Sequence, residues 1–305
     1  MRIDIGARTD VGCVRELNED RFRTVPDLNL FVVSDGIGGE AHGEVASEMA
    51  VNTIVDHCRE AAENPALPFE GEVRPDLSDR TNHLASAVRR ANRVIHEASV
   101  SDLSLRGMGA TVVAAWIDGK RLSLAHVGDS RVYRLRENLF DQLTRDHSLV
   151  AEQVRLGLLS QEQAEHSGHQ TVLVRALGAE ENVDVDLDEH LLLHGDTVLL
   201  CSDGLSRMIS DEVIANTISE LRQTQSATDR LIELAKEAGG ADNVTAILIR
   251  CQQPVKGLIN VVSSWWNRKH TRSNRESQPN VSTPIEDHEF SDENEWSEEV
   301  NKRGT

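Results

Sequence analysis

Positive charge is short in this 305-residue chain: 32 Lys and Arg stand against 51 Asp and Glu, a formal net charge of −19. A phosphate backbone is held by clustered Lys and Arg, so a nucleic-acid-binding surface is excluded. The same balance favours solubility and cation binding. Cysteine is sparse. Cys13, Cys58, Cys201 and Cys251 form no C-x-x-C pair, and none lies near a histidine at zinc-site spacing. They read as reduced thiols of a cytosolic protein rather than as staples or metal ligands. No run approaches the roughly 20 apolar residues of a membrane span. The first four residues already carry charge, so no signal peptide is expected and the setting is read as cytoplasmic. Aromatics are only 3%, yet hydrophobic content is 39%, enough for a sizeable core without disulfides.

Composition divides the chain near Pro254. Residues 1–253 are expected to fold, and 254–305 to form a tail. Within the folded part, 28–34 (LNLFVVS) and 196–202 (DTVLLCS) read as buried strands, as does 243–251 (NVTAILIRC). Residues 109–116 and 121–128 read as a hairpin around Asp118-Gly119, followed by a strand at 131–135. Helical spacing predicts helices over 43–62 and 79–99, with a proline-bearing loop between them. Two short helices are expected around Gly157 within 148–166. Ser210 is expected to cap a helix to about Leu221, and Ser226 another ending before Gly239-Gly240. The order is that of an α+β protein with antiparallel sheets covered by helices.

Aspartates recur at the ends of the apolar strands. Asp20 closes NED, Asp35 follows FVVS, Asp129 follows LAHVG, Asp203 follows LLCS and Asp242 precedes NVTAILI. Any one alone is ordinary turn chemistry. Five together would repel one another unless cations neutralise them. Oxygen ligands without Cys or His select Mg²⁺ or Mn²⁺. Two such ions bridged by one aspartate can hold a hydroxide for in-line attack on a phosphate. The small residues after Asp35 would bare a carbonyl, that of Gly36, as a further ligand. Arg15 in RELNED is either a phosphate clamp or a solvated surface arginine.

Together the stretches TDVGCVRELNED, FVVSDGIGGEAHGEVAS, MGATVVAA, AHVGDSRVYRL, LTRDHSLV, VRALG, LLCSDGLS and GGADNVTAILI resemble the metal-dependent protein phosphatases, the PPM or type 2C family of serine/threonine phosphatases, in its compact bacterial branch. The resemblance implies a β-sandwich of two antiparallel sheets flanked by helices, and a centre of Mn²⁺ or Mg²⁺ at one end of it. Asp35 would bridge two ions, and Asp203 and Asp242 would complete the first site. The Gly36 carbonyl would serve the second, with Asp20 holding its waters. Asp129 with Asp203 would form a third, weaker site. Arg15 would bind the substrate phosphate, and a flap at 148–175 would influence substrate choice. The implied activity is hydrolysis of phosphoserine and phosphothreonine in phosphorylated proteins by a monomeric enzyme that reverses a cognate serine/threonine kinase. Two departures stand out: Ile37 replaces the histidine some members carry after Asp-Gly, and Glu40 stands where many bacterial relatives have histidine. His42 reads as a surface residue at a helix entry, and His126 and His147 as structural. Ser34 and Ser202 lack the surroundings of a nucleophile, so direct attack by water fits better.

In the tail, residues 255–266 would reach only about 18 Å as a helix, too short to span a membrane. The segment 255–270, with Trp265 and Trp266 beside Arg268 and Lys269, is read as a partner-docking or membrane-surface element, or as a helix packed on the domain or a disordered linker. The acidic stretch from Glu276 onward reads as disordered. A phosphatase-like fold kept only for binding is the rival to the catalytic reading, as is an enzyme dedicated to one phosphoserine regulator.

Overall fold

Residues 1–38, 42–165, 167 and 171–252 are described by the computed structural model of the chain. The described residues up to 252 fall within one compact unit. The expected docking segment and acidic stretch, and Glu40, lie outside the described residues. In chain order the elements are β1 (Arg2–Asp10), β2 (Arg21–Val25), β3 (Leu30–Ser34), β4 (Gly36–Ile37), α1 (Gly43–Glu63), α2 (Asp79–Ser101), β5 (Gly109–Ala110), β6 (Val112–Asp118), β7 (Arg121–Val127), β8 (Arg131–Arg136) and β9 (Leu139–Gln142). There follow α3 (Leu149–Arg155), α4 (Gln161–Glu165), β10 (Asp186–Leu191), β11 (Thr197–Cys201), α5 (Asp203–Ser206), α6 (Asp211–Glu220), α7 (Thr224–Glu237) and β12 (Val244–Gln252).

Strand alternation builds three cores. In β3, β6, β11 and β12 both faces are buried, which is why these strands read as unbroken apolar runs. Phe31, Val33, Val113, Ala115, Val198, Leu200, Ile247 and Ile249 meet between the sheets. Their neighbours Leu30, Val32, Ala114 and Trp116 face α1 and α2. Leu199, Cys201, Ala246 and Leu248 face the helices that follow β11. The result is an α+β sandwich of two antiparallel five-stranded sheets, ordered β1-β12-β11-β8-β9 and β10-β7-β6-β3-β2, with helices on both outer faces. A short β4-β5 pair adjoins it.

The strands β1, β2, β9 and β10 were not expected from the sequence, and all four are sheet edges. Each exposes part of its length and carries charge, as in RIDIGARTD and DLDEHL, so the apolar run that marks a central strand is missing. The hairpin joins β6 to β7 with Asp118 paired to Arg121, leaving a two-residue loop in which Gly119 takes φ 59°. Ser78 caps α2 and Ser210 caps α6. Ser226 is not the cap of α7, which begins at Thr224 after Gln223. The start is fixed by packing: the Thr224 hydroxyl donates to Asp4 Oδ2, and a side chain at Gly6 would lie 2.7 Å from the Thr224 backbone. Among the described residues no helix is long and apolar enough to cross a membrane.

Leu200 is fully buried between the sheets. Leu200→Ala is expected to lower unfolding free energy by about 2–5 kcal/mol, read as a shifted denaturant midpoint with an unchanged slope.

Candidate metal and phosphate site

Antiparallel register brings the five aspartates to one end of the sandwich. Asp35 follows β3, Asp203 follows β11 and Asp129 lies just beyond β7. Asp20 precedes β2 and Asp242 precedes β12, whose N-terminal halves pair with the C-terminal ends of β3 and β11. The ladder breaks at Asp35 and, opposite it, at Thr111. There the Thr111 N–H donates to Asp35 O at 2.8 Å and the Asp35 N–H donates to Thr111 Oγ1 at 3.1 Å. The main chain of Asp35 is thereby fastened, and its carboxyl lies against that of Asp203. The next position must be glycine: a Cβ on Gly36 would lie 2.1 Å from Gly43 O and 2.8 Å from Glu19 O. Gly204 is bound by the same rule, since its Cβ would lie 1.9 Å from Asn243 O. These contacts pull the loops carrying Asp20, Asp203 and Asp242 against one another.

Asp20 is 1% exposed, and its Oδ2 accepts from Ser202 Oγ at 2.7 Å. Its Oδ1 and the Oδ1 of Asp203 are buried without a hydrogen-bond partner. Loss of water raises four of these carboxyls. Asp35 is pushed well above the usual range by burial and then by Asp20, Asp203, Asp129 and Asp242. Burial, opposed by Ser202 and Thr245, lifts Asp20 to about 7. Asp129 also reaches about 7, through burial and Asp203, against the pull of Arg207. Burial raises Asp203, with Arg207 opposing.

Two arginines meet the cluster. Arg15, half exposed, donates from Nη2 to Asp242 Oδ2 at 3.0 Å, and that bond raises its own pKa. Arg207 spans Asp129 Oδ2 at 2.7 Å and Asp203 Oδ2 at 2.6 Å. It was not singled out in the sequence, although its position four residues after Asp203, on the same turn, was the available signal. Asn243 was also missed. It accepts the Glu19 N–H at 2.7 Å and donates to the carbonyls of Val11 and Leu17, so it ties the Arg15 loop to β12. His42 is exposed at the entry of α1, with φ 63°. The two short helices expected around Gly157 are α3 and α4.

Among the described residues the one group of three ligand-type side chains with an atom each within 4.8 Å of the others is His126, His147 and Asp186, not a trio of the aspartates. Arg207 stands between Asp129 and Asp203. His126 is buried with neither ring nitrogen partnered, so the cluster has the composition of a metal site. His147 carries a constraint of its own. Its Nδ1 accepts the Gly128 N–H at 3.0 Å, and its Nε2 lies 3.0 Å from Arg175 Nη1 and 3.3 Å from Asp186 Oδ2. Through the Gly128 bond His147 clamps the loop before Asp129, and Arg175 stands where an ion would approach Nε2.

The raised carboxyls have a sign that can be tested. Asp20 binds its proton more tightly folded than unfolded, so in chelator the metal-free fold loses stability as pH rises from about 4 through about 7. In thermal unfolding with EDTA, Asp20→Asn is expected to melt above the wild type at pH 8, with the gap closing by pH 4.

The chain matches the family model described as Protein phosphatase 2C over residues 14–248. It is 37% identical over 253 residues to the serine/threonine phosphatase stp of Listeria monocytogenes serotype 4b (strain F2365), covering 82% of this chain and 96% of that protein. The crystal structure of the catalytic domain of the phosphatase PstP in complex with two manganese ions superposes with a TM-score of 0.69 at 34% identity, over 82% of this chain and 99% of that one. The S. agalactiae serine/threonine phosphatase gives 0.73 at 33% identity, over 82% and 100%. The fold, the matched span and the identity to these relatives agree: the chain belongs to the protein phosphatase 2C family, in its bacterial serine/threonine phosphatase branch.

Proposed function

We propose that this protein is a metal-dependent protein-serine/threonine phosphatase. The observation that carries the reading is the convergence of Asp20, Asp35, Asp203 and Asp242 with two buried carboxylate oxygens, Asp20 Oδ1 and Asp203 Oδ1, lacking any donor. Desolvated carboxylates without imidazole or thiolate fit hard divalent cations, Mn²⁺ or Mg²⁺. Asp35, Asp203 and Asp242 would hold one ion, and Asp35, the Gly36 carbonyl and Asp20 the second. Asp129 and Asp203 would take a third, weaker one in competition with Arg207. When bound, such ions supply a Lewis acid for phosphoryl oxygens and lower the pKa of water.

The chain's own residues do the remainder. Arg15 pairs with Asp242 through one nitrogen and is half exposed, so its fork can turn to a phosphoryl group while Asp242 fixes its position. Ser202 holds Asp20 in one rotamer, and Thr111 holds the main chain of Asp35. Ile37 cannot protonate a leaving alkoxide, so the proton on the departing serine or threonine would come from water in the site or from another acid. The substrates would be phosphorylated proteins in the cytoplasm, made by a serine/threonine kinase.

Turnover of a phosphothreonine peptide should require Mn²⁺ or Mg²⁺, cease in EDTA and fall on the order of 100-fold or more in Asp35→Asn. Arg15→Ala should raise KM about tenfold or more at saturating metal. Folded protein inactive with every divalent metal would favour the binding-module reading.

A further inference from the structure

A groove of about 1030 Å³ beside α3 and α4 belongs to the region already expected to influence substrate choice. A second groove, of about 580 Å³, lies elsewhere and was not anticipated. One wall is Ile37, immediately after Gly36 of the aspartate site, and the others come from the end of α2, the turn after it and the 176–179 segment. Its floor is Met108, 1% exposed. Its rim carries Leu103 at 82% exposure and Val100 at 70%, with exposed Arg106 beside them. Among the described residues Arg106 makes no ion pair.

The groove is built rather than incidental. Asn92 on α2 donates to the carbonyls of Glu180 and Glu181, both at 3.0 Å, and accepts the Gly178 N–H at 2.8 Å. His96 Nδ1 lies 3.1 Å from Gly178 O, and Leu177 exchanges both backbone hydrogen bonds with Ala110. Gly178 takes φ 83°, and a Cβ there would lie 2.4 Å from the side chain of Ile95. The 176–179 wall is thus fastened to α2 and β5, and the groove exists before anything enters it. In the turn Leu103–Leu105, Leu105 packs on the core while Leu103 is left outward. Two large aliphatic side chains held in water at the rim of a preformed groove, next to the proposed reaction centre, have no packing role.

We infer that this groove is a substrate subsite: it takes an apolar side chain of a phosphorylated peptide, with Arg106 favouring an acidic residue beside it. The inference rests on the phosphatase reading. Continuity with the site fixes the occupant. Ile37 lies two residues beyond Asp35, about 7 Å along an extended chain. A peptide with its phosphate at the aspartates therefore places a side chain roughly two to four positions away against Ile37 and Leu103.

Phosphothreonine peptides carrying a single leucine at each position from four before to four after the phosphoresidue would be compared with an all-polar peptide, with p-nitrophenyl phosphate as a substrate too small to reach the groove. Leucine at one or two positions two to four residues away should raise kcat/KM about tenfold. The double variant Val100→Ser/Leu103→Ser, changed only at exposed positions, should erase that preference. Arg106→Glu should reverse the benefit of a neighbouring acidic residue, and all variants should keep wild-type turnover of p-nitrophenyl phosphate. A flat peptide profile in wild type, or a preference that survives the double variant, overturns the subsite. So does a change of oligomeric state in that variant, which would make the groove a contact between copies. Loss of p-nitrophenyl phosphate turnover in wild type would instead strike the phosphatase reading.

Discussion

Carboxylates held close together and away from water dominate this structure. Burial and mutual repulsion push Asp35, Asp20, Asp129 and Asp203 upward in pKa, a cost the fold bears at the end of its most regular strands. Around them stand the groups that keep the cluster folded. Ser202 donates to Asp20, Arg207 spans Asp129 and Asp203, and Arg15 pairs with Asp242. Breaking a buried charge pair leaves one partner uncompensated, so Arg207, held between two buried aspartates, is structural. The glycines at 36 and 204 belong to the same scheme, because any larger residue would push apart the loops that bring the acids together.

The sandwich delivers those acids because its central strands have no polar face. Each of β3, β6, β11 and β12 buries one set of side chains between the sheets and the other under helices. That double burial made them legible in the sequence as continuous apolar runs that begin or end beside an aspartate. The edge strands β1, β2, β9 and β10 were not legible. They need only half a face of apolar contact and carry charge on the rest, so they resemble loops until a partner strand is placed beside them.

The acidic residues were visible for a related reason: a carboxylate flanked by glycine or serine at the end of a buried strand is expensive without a purpose. What could not be read was pairing across distance. Thr111 facing Asp35, Asn243 bracing the Arg15 loop and Asn92 fastening the 176–179 wall all join residues far apart in the chain. Periodicity reports burial, not partners. The same limit hid Asp186 beside His126 and His147, a meeting set by the register of β10 on β7. It also misplaced the start of α7, which contact with β1 decides.

The central claim is that the aspartate cluster exists to hold hard divalent ions. Anomalous diffraction at the manganese edge, from crystals grown with Mn²⁺, tests it most directly. The account predicts two strong peaks within about 2.0–2.6 Å of carboxylate oxygens, sharing Asp35, with Asp203 and Asp242 on one and the Gly36 carbonyl on the other. Manganese found only at His126, His147 and Asp186, with the aspartates still paired to Arg15 and Arg207, would contradict it.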